Sequence, residues 1–249
     1  MSETVPDIET IRRDIDRVDN ALLELIAERL ELSAQVRKAK SGMRVWRPSR
    51  EDSHVRQLAA EARSTSASLV STIWAELMSA SLAAQGPMRL HVALEGDVLS
   101  NWSLVRDRFG AALDVNTYPT TSAALAGCYA EEEGVAVLPS PAPPESGMMN
   151  WWTALGPGGA MEGMHILAGL PRTGRDDWPQ AVAVATADVL PSGADQTLLC
   201  VIGKEEAPQG GKLRARLGEF SLYSLDGYHP LEPTATSRVI GILPRPIGQ

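Results

Sequence analysis

Between residues 8 and 40, apolar side chains recur in alternating steps of three and four: Ile8, Ile11, Ile15, Val18, Leu22, Leu25, then Leu32, Val36 and Ala39. That spacing predicts one long helix whose apolar seam packs against other helices. Arg29 stands in the seam between Leu25 and Leu32, and Lys40 follows Val36 by four on the same face. A guanidinium in an apolar seam is costly unless an internal acid or an anionic ligand pairs with it. Thr4 or Asp7 can cap the helix start, Pro6 suits its first turn, and Ser41-Gly42 ends it. About 33 residues rising about 1.5 Å each make a rod of roughly 50 Å. A compact monomer of this size cannot cover such a rod, so the seam predicts a partner helix from a second copy.

Two shorter helices follow. Ser49 and Asp52 read as a capping box for a helix to about residue 62. A third helix runs from about 66 to 85, with the row Leu69, Ile73, Leu77, Ser81 and Gln85 facing inward, and Gly86-Pro87 stops it. After Pro87 the pattern shortens to strand-like runs at 90–94, 113–118, 135–138, 165–170, 181–187, 197–202, 220–225 and 239–243. Helical stretches fall at about 98–109, 120–130 and 147–155, and a Pro-rich loop covers 139–146. The fold class is therefore an all-α three-helix domain, residues 1–86, followed by an α/β or α+β domain, residues 87–249.

Composition narrows the function. The formal net charge of −8 argues against general nucleic-acid affinity. The first 86 residues hold 12 Lys+Arg against 13 Asp+Glu, so most of the acidic excess lies in the second domain. Cys128 and Cys200 make neither a metal spacing nor a disulfide framework. The N-terminal stretch is polar and acidic, with no apolar signal region, and the chain shows no membrane-length run, which predicts a cytoplasmic protein.

Polar residues interrupt the helical third at positions that should be apolar. Arg29 and Lys40 lie on the seam, Arg12 flanks it, Arg50 and Glu51 open the second helix, and Ser81 and Gln85 end the inner row of the third. Cations, a carboxylate, a hydroxyl and an amide converging between helices would suit a small molecule with two carboxylates and uncharged oxygens. Each residue also has an ordinary reading. Arg29 can pair with Glu28, Lys40 can sit at a helix C-terminus, Arg12 and Arg50 can be solvated, and Glu51 can be first-turn decoration. Ser81 can bond its own helix backbone, and Gln85 can be exposed at a helix end.

The joint spacing resembles the all-helical, type II chorismate mutase family. The resemblance lies in the run from Ile11 and Arg12 to Asp19, in Leu22 to Arg29, in Val36 to Lys40, in Pro48-Ser49-Arg50-Glu51, and in Ser81-Leu82-Ala83-Ala84-Gln85. It implies an intertwined homodimer joined through the first helix, with chorismate as substrate, prephenate as product, and a role in aromatic amino acid (Phe/Tyr) biosynthesis. Carried over by position, Arg29 and Arg12 bind carboxylates, Arg12 reaching in from the other subunit. Lys40 contacts a carboxylate and the ether oxygen, which Gln85 also bonds. Glu51 accepts the ring hydroxyl, and Arg50 and Ser81 shape the pocket. Relatives commonly carry Asp where this chain has Arg47, but the substrate contact there is a backbone amide. The rearrangement needs no base, nucleophile, metal or cofactor, so none is expected. It needs a held conformer and donors fixed where charge grows on the breaking bond.

The later two-thirds resembles a prephenate dehydratase domain only faintly, at 89–96, 134–139 and 165–170. Ser140-Pro141 stands where that family has Glu-Asn, and its Thr-Arg-Phe motif is absent; Thr173-Gly174-Arg175 is no substitute. The expectation is a diverged domain without dehydratase activity, with an unrelated α/β module as the other reading. Alternative functions are a bifunctional mutase–dehydratase, an isochorismate pyruvate lyase on the same helical fold, and a non-catalytic metabolite sensor. The lyase typically lacks the acid that Glu51 supplies.

Overall fold

The computed structural model describes residues 7–39, 44–142, 150–203 and 207–248. The chain forms two compact units, residues 1–43 and 44–249. The first is a single helix, α1 (Ile8–Ala39). Of the two expected caps, Asp7 does the work: its carboxylate accepts from the backbone N–H groups of Glu9 at 3.0 Å and Thr10 at 3.1 Å. Thr4 and Pro6 lie outside the described residues. The apolar seam is exposed along its length, from Ile8 through Ile15, Leu22 and Leu25 to Val36.

The second unit opens with α2 (Pro48–Glu61) and α3 (Ala67–Gln85). Ser66 caps α3 by accepting from Leu69 N–H at 3.2 Å. The expected capping box on α2 does not form: Arg47 is the N-cap without a side-chain bond, and Pro48 opens the helix. Pro at that position gives up an N–H that would have no helical partner. The carboxylate of Asp52 is buried elsewhere, as described below. The inner row expected for α3 is also corrected. Its buried face reads Val70, Ser71, Ala75, Met78, Ser79, Ser81 and Leu82, whereas Leu69 and Ile73 are exposed. The helix has apolar residues on more than one side, and spacing alone does not say which side the core takes. By length and composition α3 could cross a membrane, contrary to the sequence expectation of no such run. Here a third of that stretch is buried in the protein core.

The rest is a nine-stranded mixed sheet. Its strands are β1 (Arg89–Val92), β2 (Asp114–Thr117), β3 (Gly134–Pro139), β4 (His165–Leu170), β5 (Ala181–Ala185), β6 (Asp195–Ile202), β7 (Lys212–Leu217), β8 (Phe220–Asp226) and β9 (Ser237–Pro244), in the order β2-β1-β3-β5-β4-β9-β6-β8-β7. β1 pairs in parallel with β2 and β3, through crossovers carrying α4 (Val98–Phe109) and α5 (Thr121–Tyr129). β4–β9 is also parallel, and the remaining pairs are antiparallel. The second domain is thus α/β, as the alternation of runs implied. The strand missed in the sequence is β7, a polar edge strand, Lys-Leu-Arg-Ala-Arg-Leu, with four of six residues exposed. The stretch expected to be helical at 147–155 is a 3-10 turn at Trp151–Leu155; residues 147–149 lie outside the described set.

The central strands are apolar on both faces because both are covered. On one face Leu90, Val135, Val137 and Ala183 pack with Val105 and Phe109 of α4, with Leu82 of α3, and with Trp46. On the other, Ala136, Leu138, Val182 and Val184 pack with α5 and with Trp151 and Trp152. Val55 of α2 and Val70 and Met78 of α3 form a smaller cluster of their own with Ile247.

Candidate active site

The site expected from the helices draws on both units, and each is taken separately. On α1, Arg12 is exposed and paired with Glu9 one turn away, Nη1 to Oε1 at 2.8 Å. An exposed pair of this kind contributes little to stability, so Arg12 can be redirected by a ligand at small cost. Arg29 is half-buried on the seam, one turn before Ser33, whose hydroxyl donates to the Arg29 carbonyl at 3.0 Å. Lys40 lies outside the described residues.

In the second unit, α2 and α3 form a hairpin. Ala62 and Ala67 flank its turn, while Trp46, just before α2, shares a cluster with Leu82 near the end of α3. Glu51 and the Ser81–Gln85 turn therefore lie at the same end of the hairpin. The Ser81 hydroxyl donates to Leu77 C=O at 2.8 Å, the back-bond that a serine in a helix commonly makes. Gln85 and Arg47 are half-buried, and Arg50 is exposed. The chain entering α2 is pinned to the sheet unit, because Val45 N–H donates to the Glu133 carboxylate at 3.2 Å.

The dominant feature at this end is a buried ionic cluster. Arg108 of α4 grips Asp52 with two parallel bonds, Nη1–Oδ1 at 2.5 Å and Nη2–Oδ2 at 2.9 Å. Arg172, just past β4, donates from Nε to the same Asp52 Oδ1 at 3.1 Å. Both guanidiniums also face Glu51 Oε2, Arg172 Nη2 at 3.6 Å and Arg108 Nη2 at 3.9 Å. The Arg108 and Arg172 side chains are 1% and 2% exposed, and Glu51 is 14% exposed. Such charges persist in a core only when paired, and here Arg108 Nε and both Arg172 Nη atoms remain without a hydrogen-bond partner. Burial pushes the Glu51 carboxyl above its usual range; Arg108 and Arg172 pull it back, and Asp52 reinforces the rise. Burial also lowers Arg172, helped by Arg108 beside it.

Arg108 and Arg172 were not singled out in the sequence. A signal for Arg108 was present: with Leu104, Val105 and Phe109 it occupies the inner row of α4, a charge in an apolar stripe like Arg29. Arg172 sits in a loop and carries no such mark. Asp52 serves not as the capping acid of α2 but as the carboxylate that both arginines hold.

The sheet offers less. His91 is fully buried on β1, with Nδ1 2.9 Å from the Tyr118 hydroxyl and Nε2 3.4 Å from Glu131 Oε2. Gly127 makes room for this pair, since a Cβ there would meet the Tyr118 oxygen at 2.5 Å. Of the hydroxyls that could serve a dehydration, Ser122 is exposed, and Thr197 is committed to Gly227 C=O and His229 N–H. Ser140 is buried, its Oγ without a hydrogen-bond partner. Cys128 and Cys200 are buried, and burial pushes both thiols up to about 12. Among the described residues there is no cluster of side chains able to hold a metal ion.

No curated protein and no solved structure gives a match to this chain. Residues 11–86, which carry Arg12, Arg29, Glu51, Ser81 and Gln85, match the model of one family, chorismate mutase type II.

Proposed function

We propose that the protein is a chorismate mutase that rearranges chorismate to prephenate in a site shared between two copies. The observation carrying this reading is the family match over residues 11–86, with cationic and hydrogen-bonding side chains in register across three helices. Arg29 and Lys40 bind carboxylate and ether oxygens, Gln85 donates to the ether oxygen, and Glu51 accepts the ring hydroxyl. Arg50, Ser81 and the backbone of Arg47 complete the pocket, and Arg12 enters from the second copy. The reaction asks for orientation and electrostatic stabilisation, which fixed donors in a water-poor pocket supply. The exposed seam of α1 supports the homodimer, because an apolar stripe of this length calls for a covering helix.

The sheet domain is proposed to lack dehydratase activity. Losing the ring hydroxyl of prephenate requires a positioned proton donor. Ser122, Ser140 and Thr197 have no acid–base partner among the described contacts that would make one. Incubating purified full-length protein with chorismate tests both statements. Prephenate should form, and phenylpyruvate should not exceed its spontaneous rate.

A further inference from the structure

We propose that Arg108 and Arg172 of the sheet domain are positioning residues for Glu51 of the mutase site, so that the domain after Pro87 forms part of the frame of that site. This rests on the reading of Glu51 as a substrate-binding acid. Asp52 is the hinge of the arrangement. Its carboxylate is held by Arg108 through two bonds and by Arg172 through one, which fixes the first turn of α2 against α4 and the loop after β4. Glu51, the next residue, then has Oε2 facing both guanidiniums, at 3.6 and 3.9 Å. Glu51 accepts a hydroxyl in its ionised form, and the two guanidiniums favour that form against the burial that opposes it. Neither Nη of the buried Arg172 has a hydrogen-bond partner, and Nη2 meets Glu51 only as an ion pair at 3.6 Å.

The groups facing Glu51 are Asp52 on its own helix, Trp46 in the segment leading into that helix, Arg108 on α4 and Arg172 in the loop after β4. Asp107 on α4 adds a further carboxylate near the two arginines. Removing a cation from this set should raise the pH at which Glu51 ionises.

The test uses full-length wild type, Arg172→Met, Arg172→Lys, Glu51→Gln and the double variant Glu51→Gln/Arg172→Met. Turnover is followed against pH, and the Glu51 carboxyl is titrated directly by carbon-13 NMR. Arg172→Met should lower kcat by about ten- to a hundredfold, the scale of a misplaced group, with a smaller change in KM. Its acid limb and the Glu51 titration should both move to higher pH, while Arg172→Lys should return both close to wild type. In the Glu51→Gln background Arg172→Met should have almost no further effect on kcat, because the two act as one unit. A folded Arg172→Met protein with an unmoved titration and an effect additive with Glu51→Gln would overturn the proposal. If that variant does not fold, Arg172→Lys decides: it loses the planar fork but keeps the charge, so kcat should fall while the titration stays. Wild-type kcat would contradict the role. If wild type makes no prephenate, the mutase reading fails by itself, and the Glu51 titration still reports whether Arg172 governs this carboxyl.

Discussion

Arg29 stands in the apolar seam of α1 and Glu51 is buried beside two arginines, and each carries a prediction. Arg29→Ala should lower prephenate formation by at least about a hundredfold, the scale for losing one preorganised donor. Alanine is a better helix former than arginine, so circular dichroism should show α1 intact. Near-normal turnover in that variant would make Arg29 structural. Glu51 bears on stability because burial raises its carboxyl above the usual carboxylate range. The folded protein then holds this proton more tightly than the unfolded chain does. That contribution is full at acid pH and is lost as pH rises through the folded value. Glu51→Gln should remove this dependence, melting higher than wild type at neutral pH while turning over more slowly. A lower melting temperature at pH 7 would show that the arginines gain more from the Glu51 charge than its burial costs. At this scale the sequence displayed charges in apolar rows, which marked Arg29 and could have marked Arg108. It could not display Arg172, whose burial depends on where a loop lands.

At the scale of elements, periodicity carried far. The three helices, α4 and α5 lie within a few residues of the expected positions, because their caps and stops are local chemistry. Eight of the nine strands were visible as strand-like runs, and β7, whose Lys-Leu-Arg-Ala-Arg-Leu run carries three cations, was not. The face of α3 was misread for a different reason. Leu69 and Ile73 form as good a row as Val70 and Met78, and the choice between them is tertiary. The exposed seam of α1 predicts a homodimer with Arg12 acting across the interface. Arg12→Ala and Arg29→Ala proteins, each weak alone, should recover activity when mixed and allowed to exchange, since one site per mixed dimer then keeps both residues. A monomer by analytical ultracentrifugation, or no recovery after demonstrated exchange, would contradict the shared site.

Over the whole molecule, the change of texture at Pro87 is a change of composition, whereas the core runs through it. Trp46 and Leu82 enter the same cluster as β1 and β3, and Asp52 is clamped by residues 56 and 120 positions further along the chain. Contacts at such separation leave no local pattern, so this linkage was not legible in the sequence. The family match ends at residue 86, yet the turn that bears Glu51 is held by side chains beyond it. The sheet domain therefore has a structural reason to be present: it holds that turn in place. One reaction decides whether the protein is a mutase. Purified full-length protein given chorismate, with chelator present, should form prephenate far above the uncatalysed rate, and given isochorismate instead it should release no pyruvate. Absence of prephenate, or pyruvate release from isochorismate as the dominant activity, would contradict it.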